Sequence, residues 1–362
     1  MSGKGLRAGW TVVPFDGDGW VCHAAESRLE DHLGRRSLYL KGGIATVAGQ
    51  SFVDGALAVD VAFSGERGFM GAIWRVEDGG NYEEFYLRPH QSGNPDATQY
   101  TPVFHGVSGW QLYHGERYAA RAVHRRDAWA RLEVVFAGPR AEVYLGDAAA
   151  PLLAIDDLKR AVAPGGIGVS ALDFAPAHFS NFSFTPAPVP LRGRRQGAPP
   201  ASPGAAAAAV RRWWVSDAFR ESWLGELHEL GAGELAARTW SRLDAEPSGL
   251  ANLARVQGIV LGRNTVLARA VVDAERDGIW RLDFGFSDRV RLYLNRRLIF
   301  RGDDGQGSRD YRFLGSIGYY DSLHLPLARG GNELVLAVSE DHRGGWGVQA
   351  RFAEPAGLAL ED

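Results

Sequence analysis

Residues 57–63 read LAVDVAF, with Leu57, Val59, Val61 and Phe63 at alternate positions. Successive side chains of a β-strand point to opposite faces, so these four apolar groups share one side, the pattern of a half-buried strand. ARLEVVF (130–136) repeats it with Leu132, Val134 and Phe136, offset by Ala130. AEVYLGD (141–147), GGIGVSAL (165–172) and HFSNFSF (178–184) follow at spacings that suit a sandwich of antiparallel sheets. Long helical periodicity is nearly absent, and 46 glycines against 2 methionines complete a β profile.

The texture changes at TPAPVPLRGRRQGAPPASPGAAAAAV (185–210), where prolines and small residues replace any alternation. Prolines hold such a linker partly extended, and its AAAAA run could start a short helix. Strands resume with WRLDFGF (280–286), RVRLYL (289–294), SLHLPL (322–327) and NELVLAV (332–338), the last two joined by ARGG, whose glycines suit a tight hairpin turn. Residues 217–240 are either a helical stretch or an irregular lead-in with Trp223 and Trp240 as core anchors. The expected fold is all-β: two β-sandwich (jelly-roll) domains, 1–186 and 211–362, joined by a Pro/Ala-rich linker at 187–210, each with strands enough to fold alone.

A chain of 362 residues accommodates two cores. A net charge of −3, with no basic stripe beyond short clusters such as Arg192, Arg194 and Arg195, argues against nucleic acid as a partner. No stretch approaches a transmembrane span, so membrane insertion is not expected, and MSGKGLRAGW has no apolar run of signal-peptide length. As written the chain reads as soluble and unexported, and one that begins after a removed signal would look the same. The single cysteine, Cys22, cannot form an internal disulfide.

The candidate site starts from NYEEFYLRPHQ (81–91). Alternation sets Tyr82, Glu84, Tyr86, Arg88 and His90 on one face, with Glu83, Phe85, Leu87 and Pro89 on the other. Outer faces of sandwiches favour short polar side chains. Two tyrosines, a carboxylate, a guanidinium and an imidazole instead offer flat apolar patches beside fixed hydrogen-bonding groups, as binding sites do. A decorated solvent face is the alternative. Burying Arg88 unpaired is costly, so Phe85 and Leu87 are expected in the core and Tyr86, Arg88 and His90 in one surface patch. Gln91, Tyr100, His105, Trp110, Tyr113 and His114 add hydrogen-bonding and aromatic groups downstream, although Trp110 could equally fill the core.

Across LAVDVAF, GFMGAIWRVEDGGNYEEFYLRP (68–89), WARLEVVFAGPRAEVYLGD (129–147) and GGIGVSALDFAPAHFSNFSF (165–184), the first 186 residues resemble the concanavalin A-like lectin and glucanase superfamily in its laminin-G-like form. That resemblance implies a jelly roll whose concave face commonly holds carbohydrate. Residues 250–352 resemble galactose-binding-domain-like jelly rolls through DGIWRLDFGFSDRVRLYLNRRLIFRG (277–302) and LPLARGGNELVLAVSEDHRGGWGVQARF (325–352). Arg296 follows the turn residue Asn295 where such domains usually carry glycine, which leaves the turn type open.

The superfamily's glucanases mount their carboxylates as Glu-x-Asp-x-x-Glu or Glu-x-Asp-x-Glu on one strand, and no such string occurs here. Glu83 and Glu84 are adjacent and point to opposite faces, and Arg88 is expected to keep Glu84 ionised. No catalytic residue is assigned. Both superfamilies often carry calcium, and DGDG (16–19) and RGDDGQGSRD (301–310) could supply oxygen ligands, solvated turns being the other reading. The three histidines His90, His105 and His114 match no compact metal motif. Arg309, Asp310, Glu340, His342 and Trp346 could form a rim site in the second domain, unless Trp346 plugs the barrel end. The leading expectation is a glycan-binding protein whose ligand is a glycan or sugar-containing small molecule, held on the concave face of the first jelly roll. The alternatives are a glycoside hydrolase using Glu84, His90 or His105, and a protein-binding adhesion module.

Overall fold

The computed structural model describes residues 8–64, 67–193 and 209–360. Among them the chain is all-β, with one large curled antiparallel sheet and two further antiparallel sheets. Most of the expected linker, 194–208 with its alanine run, lies outside the described residues. Two compact units result: Met1–Val103 with Tyr113–Gln196, and Phe104–Leu112 with Gly197–Asp362.

In the first unit the half-buried strands of the sequence pair as the alternation requires. Gly55–Ala62 lies between Ala130–Ala137 and Ala177–Thr185, with Val59 opposite Leu132 and Val61 opposite Phe179, all fully buried. Arg35–Val47 carries the sheet around the corner. Its first half pairs with Ala177–Thr185 through Leu38 and Leu40, and its second half with Gly166–Ala171. Glycines allow the bend: Gly42 has φ +69°, and a Cβ at Gly43 would meet the carbonyl oxygen of His23 at 2.0 Å. From Gly166–Ala171 the sheet continues through Met70–Asp78 and Asn81–Leu87 to Thr98–Phe104.

The second unit is built from a larger sheet that includes Thr265–Ala274, Gly330–Ser339 and Arg289–Leu294 and a smaller one of Leu250–Asn252, Gly347–Phe352, Gly278–Ser287 and Asp321–Leu327. Trp213, Leu282, Phe284, Leu336, Val348 and Trp346 fill its core. Trp346 is fully buried and donates Nε1–H to the Val338 carbonyl at 3.0 Å, so it plugs the core and does not line a rim. Phe104–Leu112 belongs to this unit, an excursion that a boundary drawn at 186 does not contain. Val107 enters the core, Ser108 N–H donates to the Arg343 carbonyl at 2.9 Å, and Gln111 N–H to that of Gly344 at 2.9 Å.

Two local expectations change. The strands Asp321–Leu327 and Gly330–Ser339 are not a hairpin, because the first pairs with Gly278–Ser287 in the smaller sheet and the second with Thr265–Ala274 and Arg289–Leu294 in the larger. The buried Asn332 replaces the missing ladder: it donates to the carbonyls of Ala328 (2.7 Å) and Gly330 (2.9 Å) and accepts from Ala328 N–H (3.1 Å). Residues 217–240 are mostly irregular, with a 3₁₀ turn at Glu221–Leu224 and one helical turn at Ala232–Ala236. Trp223 is exposed there under the Arg238 guanidinium at 4.5 Å, while Trp240 is half-buried and donates to the Leu235 carbonyl at 3.1 Å. The turn after Arg289–Leu294 resolves as Asn295 and Arg296 with φ of 47° and 71°, the two positive values of a type I′ turn, reached without glycine.

Candidate functional site

Asn81–Leu87 lies between Met70–Asp78 and Thr98–Phe104. Phe85 and Leu87 are fully buried, as the alternation requires. Glu83 joins them on the inner face, where it accepts from Tyr100 Oη at 2.6 Å and from Arg160 N–H at 2.9 Å. Burial pushes its carboxyl up, against the pull of those bonds and of Arg75. Tyr100 is therefore a core residue bonded to Glu83, and not a member of the Tyr82 face.

On the other face, register sets Tyr82, Glu84 and Tyr86 beside Val103, Thr101 and Gln99 of the next strand. Glu84 is half-buried, and Ser170 Oγ donates to its Oε1 at 2.5 Å. Desolvation moves the Glu84 carboxyl up to about 7, with the Ser170 bond opposing. Its charge and burial together raise the neighbouring Tyr82 hydroxyl, burial first. The expectation that Arg88 holds Glu84 ionised is corrected here. The Arg88 guanidinium bonds Asp96 at 2.9 Å and Tyr86 Oη at 3.1 Å.

Tyr86 and Arg88 are each only 4% exposed, so the expected open patch of Tyr86, Arg88 and His90 does not form. Tyr86 Oη, with its pKa pushed up to about 12 by burial, donates to Gln99 Oε1 at 3.0 Å, and Gln99 Nε2–H to the Tyr113 carbonyl at 2.8 Å. This chain of bonds satisfies the polar groups of a strand covered on both sides. Tyr113 is itself buried beneath Lys159, which lies 4.9 Å from its ring. Gln91 sits in a 3₁₀ turn, Pro89–Gln91, and accepts from Asn94 at 2.6 Å. His105 and Trp110 belong to the excursion counted with the second unit, where His105 Nδ1 lies 2.8 Å from the Ala254 carbonyl oxygen.

His90 remains exposed, and beside it is a rim that the sequence reading did not include. Phe69 stacks obliquely on His90 at 4.9 Å and meets Phe174 edge-on at 5.7 Å. Phe174 is 55% exposed, an unusual cost for a phenylalanine in a loop. Arg67 lies 5.4 Å from its ring. The rim meets the buried Tyr86 through Phe69 at 5.7 Å, and further along the same strand Tyr82 and Glu84 are half-buried, with Ser170 buried behind Glu84.

Among the described residues no group of three or more His, Cys, Asp or Glu side chains converges on a metal position. In the loop proposed for calcium at 301–310, Asp304 accepts from Arg309 Nε at 2.5 Å, Asp303 from Gly305 N–H at 2.8 Å and Asp310 from Arg312 N–H at 2.8 Å. No described helix is long and apolar enough to cross a membrane.

No family model and no curated protein matches the chain. Among solved structures it is similar to the carbohydrate binding module CBM66 from Bacillus subtilis, at 16% identity over 48% of this chain and 94% of that one, with a TM-score of 0.33. It is also similar to galectin LEC-6 of Caenorhabditis elegans, at 13% identity over 39% and 87% of the two chains (TM-score 0.28). A Bacillus subtilis protein of unknown function with a galectin-like fold gives 12% over 50% and 90% (TM-score 0.34).

Proposed function

We propose that the first unit binds a glycan against Tyr82 and Glu84, with the Phe69–Phe174 rim as the stacking surface. The observation that carries this reading is the half-buried Glu84 carboxyl, held by Ser170 Oγ at 2.5 Å on the strand face it shares with Tyr82. A carboxyl fixed in this way suits hydrogen bonding to sugar hydroxyls, and burial, which raises its pKa, favours the form that can donate as well as accept. The exposed Phe174 at the rim supplies the flat apolar face that a pyranose ring covers.

The hydrolase reading draws on the same raised carboxyl, since a general acid needs one. Against it, Glu83 faces the core and the nearby Asp96 is paired with Arg88, so neither stands as the second carboxylate of a glycosidase pair. The test is a glycan-array screen of the full chain, followed by titration of the strongest binder. Glu84→Ala and Phe174→Ala are each expected to weaken binding about tenfold, roughly 1.4 kcal/mol. Unchanged affinity in both variants would reject the site. Loss of a measured glycosidase activity in Glu84→Gln with binding intact would make the protein an enzyme.

A further inference from the structure

Elsewhere on the curled sheet of the first unit, the face that points away from the core holds a second cluster. Five strands contribute to it in register: Trp20–His32, Arg35–Val47, Ala177–Thr185, Gly55–Ala62 and Ala130–Ala137. Leu38, Phe179, Val61 and Leu132 point inward from these strands. Tyr39, His178, Asp60 and Arg131 therefore point away from the core.

The imidazoles of His32 and His178 are stacked, 3.7 Å between centroids and 3° from parallel. Trp129 meets His32 edge-on at 5.9 Å, and Tyr39 meets His178 at 5.3 Å. Two carboxylates frame the rings. Glu30 lies 2.6 Å from His178 Nε2 and 2.7 Å from Arg28 Nε. Asp60, only 8% exposed, accepts from Arg35 (2.5 Å), Arg131 (3.2 Å) and Asn181 (2.8 Å).

A ladder of ion pairs is an ordinary way to decorate a sheet. Four ring-bearing side chains gathered from four chain segments on a face that owes nothing to the core are not. The carboxylates are fixed by several partners each, so that part of the face is preorganised, while the buried His32 Nε2 has no hydrogen-bond partner. A metal is excluded by geometry: the lone pairs of face-to-face imidazoles lie in parallel planes and do not converge on one ion. Each of these cations already has a carboxylate partner, Arg28 with Glu30, Arg35 and Arg131 together with Asp60, and Lys41 with Glu26, so none stands unpaired to hold an anionic sugar. We infer that the His32–His178–Trp129 cluster is a second binding site, for a neutral oligosaccharide, distinct from the Glu84 face and sharing with it only the class of ligand. Two sites on separate strands of the curled sheet would let one unit engage two chains or two stretches of one polymer.

The full-length protein, labelled with ¹³C at histidine Cε1, is titrated with cellohexaose, xylohexaose, a galacto-oligosaccharide and an inulin-type fructo-oligosaccharide. At least one is expected to shift the His32 and His178 signals saturably. Trp129→Ala should weaken that binding about tenfold or more, Trp129→Phe should retain it within about threefold, and Glu84→Ala should leave it unchanged. If the alanine variant fails to fold, the histidine shifts themselves decide: their saturable appearance in both the wild type and Glu84→Ala supports the site, and their absence overturns it. Binding that shifts neither histidine and is lost in Glu84→Ala would overturn this inference and leave the first site standing. Shifts insensitive to both Trp129 variants, or produced by polygalacturonate alone, would overturn it too. If none of the neutral sugars perturbs any signal, this inference falls, and only the array screen bears on the first site.

Discussion

Truncating Leu87 and Arg88 separately to alanine is expected to destabilise the first unit by comparable amounts, about 2–5 kcal/mol for the leucine and about 2–4 kcal/mol for the arginine. Leu87 is fully buried, so its truncation removes apolar contact and leaves a cavity. A surface arginine at the next position would change stability by less than about 0.5 kcal/mol. Arg88 is not one. It is 4% exposed, bonds Asp96 and the Tyr86 hydroxyl, and lies 5.6 Å from the Phe69 ring. Removing it strands Asp96, which is partly open to water and limits the loss, and it takes away the aliphatic stem that packs beneath the rim. His90→Ala, an exposed neighbour, serves as the control and should be nearly neutral. Urea unfolding of the three variants decides the matter. A neutral Arg88→Ala would mean that this face is open to solvent after all.

That strand shows what alternation can and cannot convey. LAVDVAF and ARLEVVF alternate apolar with polar or small residues, and the pairing of Val59 with Leu132 follows from it. NYEEFYLRPH also alternates, and its inner set was legible in Phe85 and Leu87. Its outer set was not, because a period of two says that two faces differ and is silent on whether the second is covered. The cover is made of partners distant in sequence. Ser170 reaches Glu84 across one intervening strand, Met70–Asp78, and Gln99 links Tyr86 to the Tyr113 carbonyl. In TQYTPVF neither parity is uniformly apolar, so nothing local marked Tyr100 as the inward partner of Glu83. Phe69 and Phe174 were invisible as a rim because they sit in separate loops that the sheet brings together. The His32–His178 stack joins two segments 146 positions apart by number, and neither segment carries an unusual motif. The excursion at Phe104–Leu112 reads as loop because its hydrogen bonds are to Arg343 and Gly344, far along the chain.

In the second unit, Glu340→Gln is expected to stabilise the protein increasingly as pH rises. Glu340 is fully buried; its Oε1 accepts from His342 N–H at 3.0 Å and Gly344 N–H at 2.9 Å, while its buried Oε2 has no hydrogen-bond partner. Asp288, also buried, accepts from Asp341 N–H at 3.1 Å and lies 3.4 Å from His342 Nδ1. Burial first, and then the charge of Asp288, hold the Glu340 carboxyl well above the usual carboxylate range, with the two backbone bonds opposing and Asp341 adding a smaller push. The folded protein therefore keeps a proton that the unfolded chain releases above about pH 4.5. Stability is lost across that window at up to about 1.4 kcal/mol per pH unit, until the folded carboxyl itself ionises. Glutamine keeps an acceptor for the two N–H groups, turns an NH₂ towards the anionic neighbour, and has no proton to lose. The variant should match the wild type near pH 5 and exceed it by about 2 kcal/mol or more at pH 8, read from the second unit's transition in urea at a series of pH values. Titrating groups that do not interact with Glu340 contribute equally to both proteins and cancel in the difference. Parallel curves from pH 5 to pH 8 would show that Glu340 is ionised in the folded state and that its unpartnered oxygen is compensated in some other way.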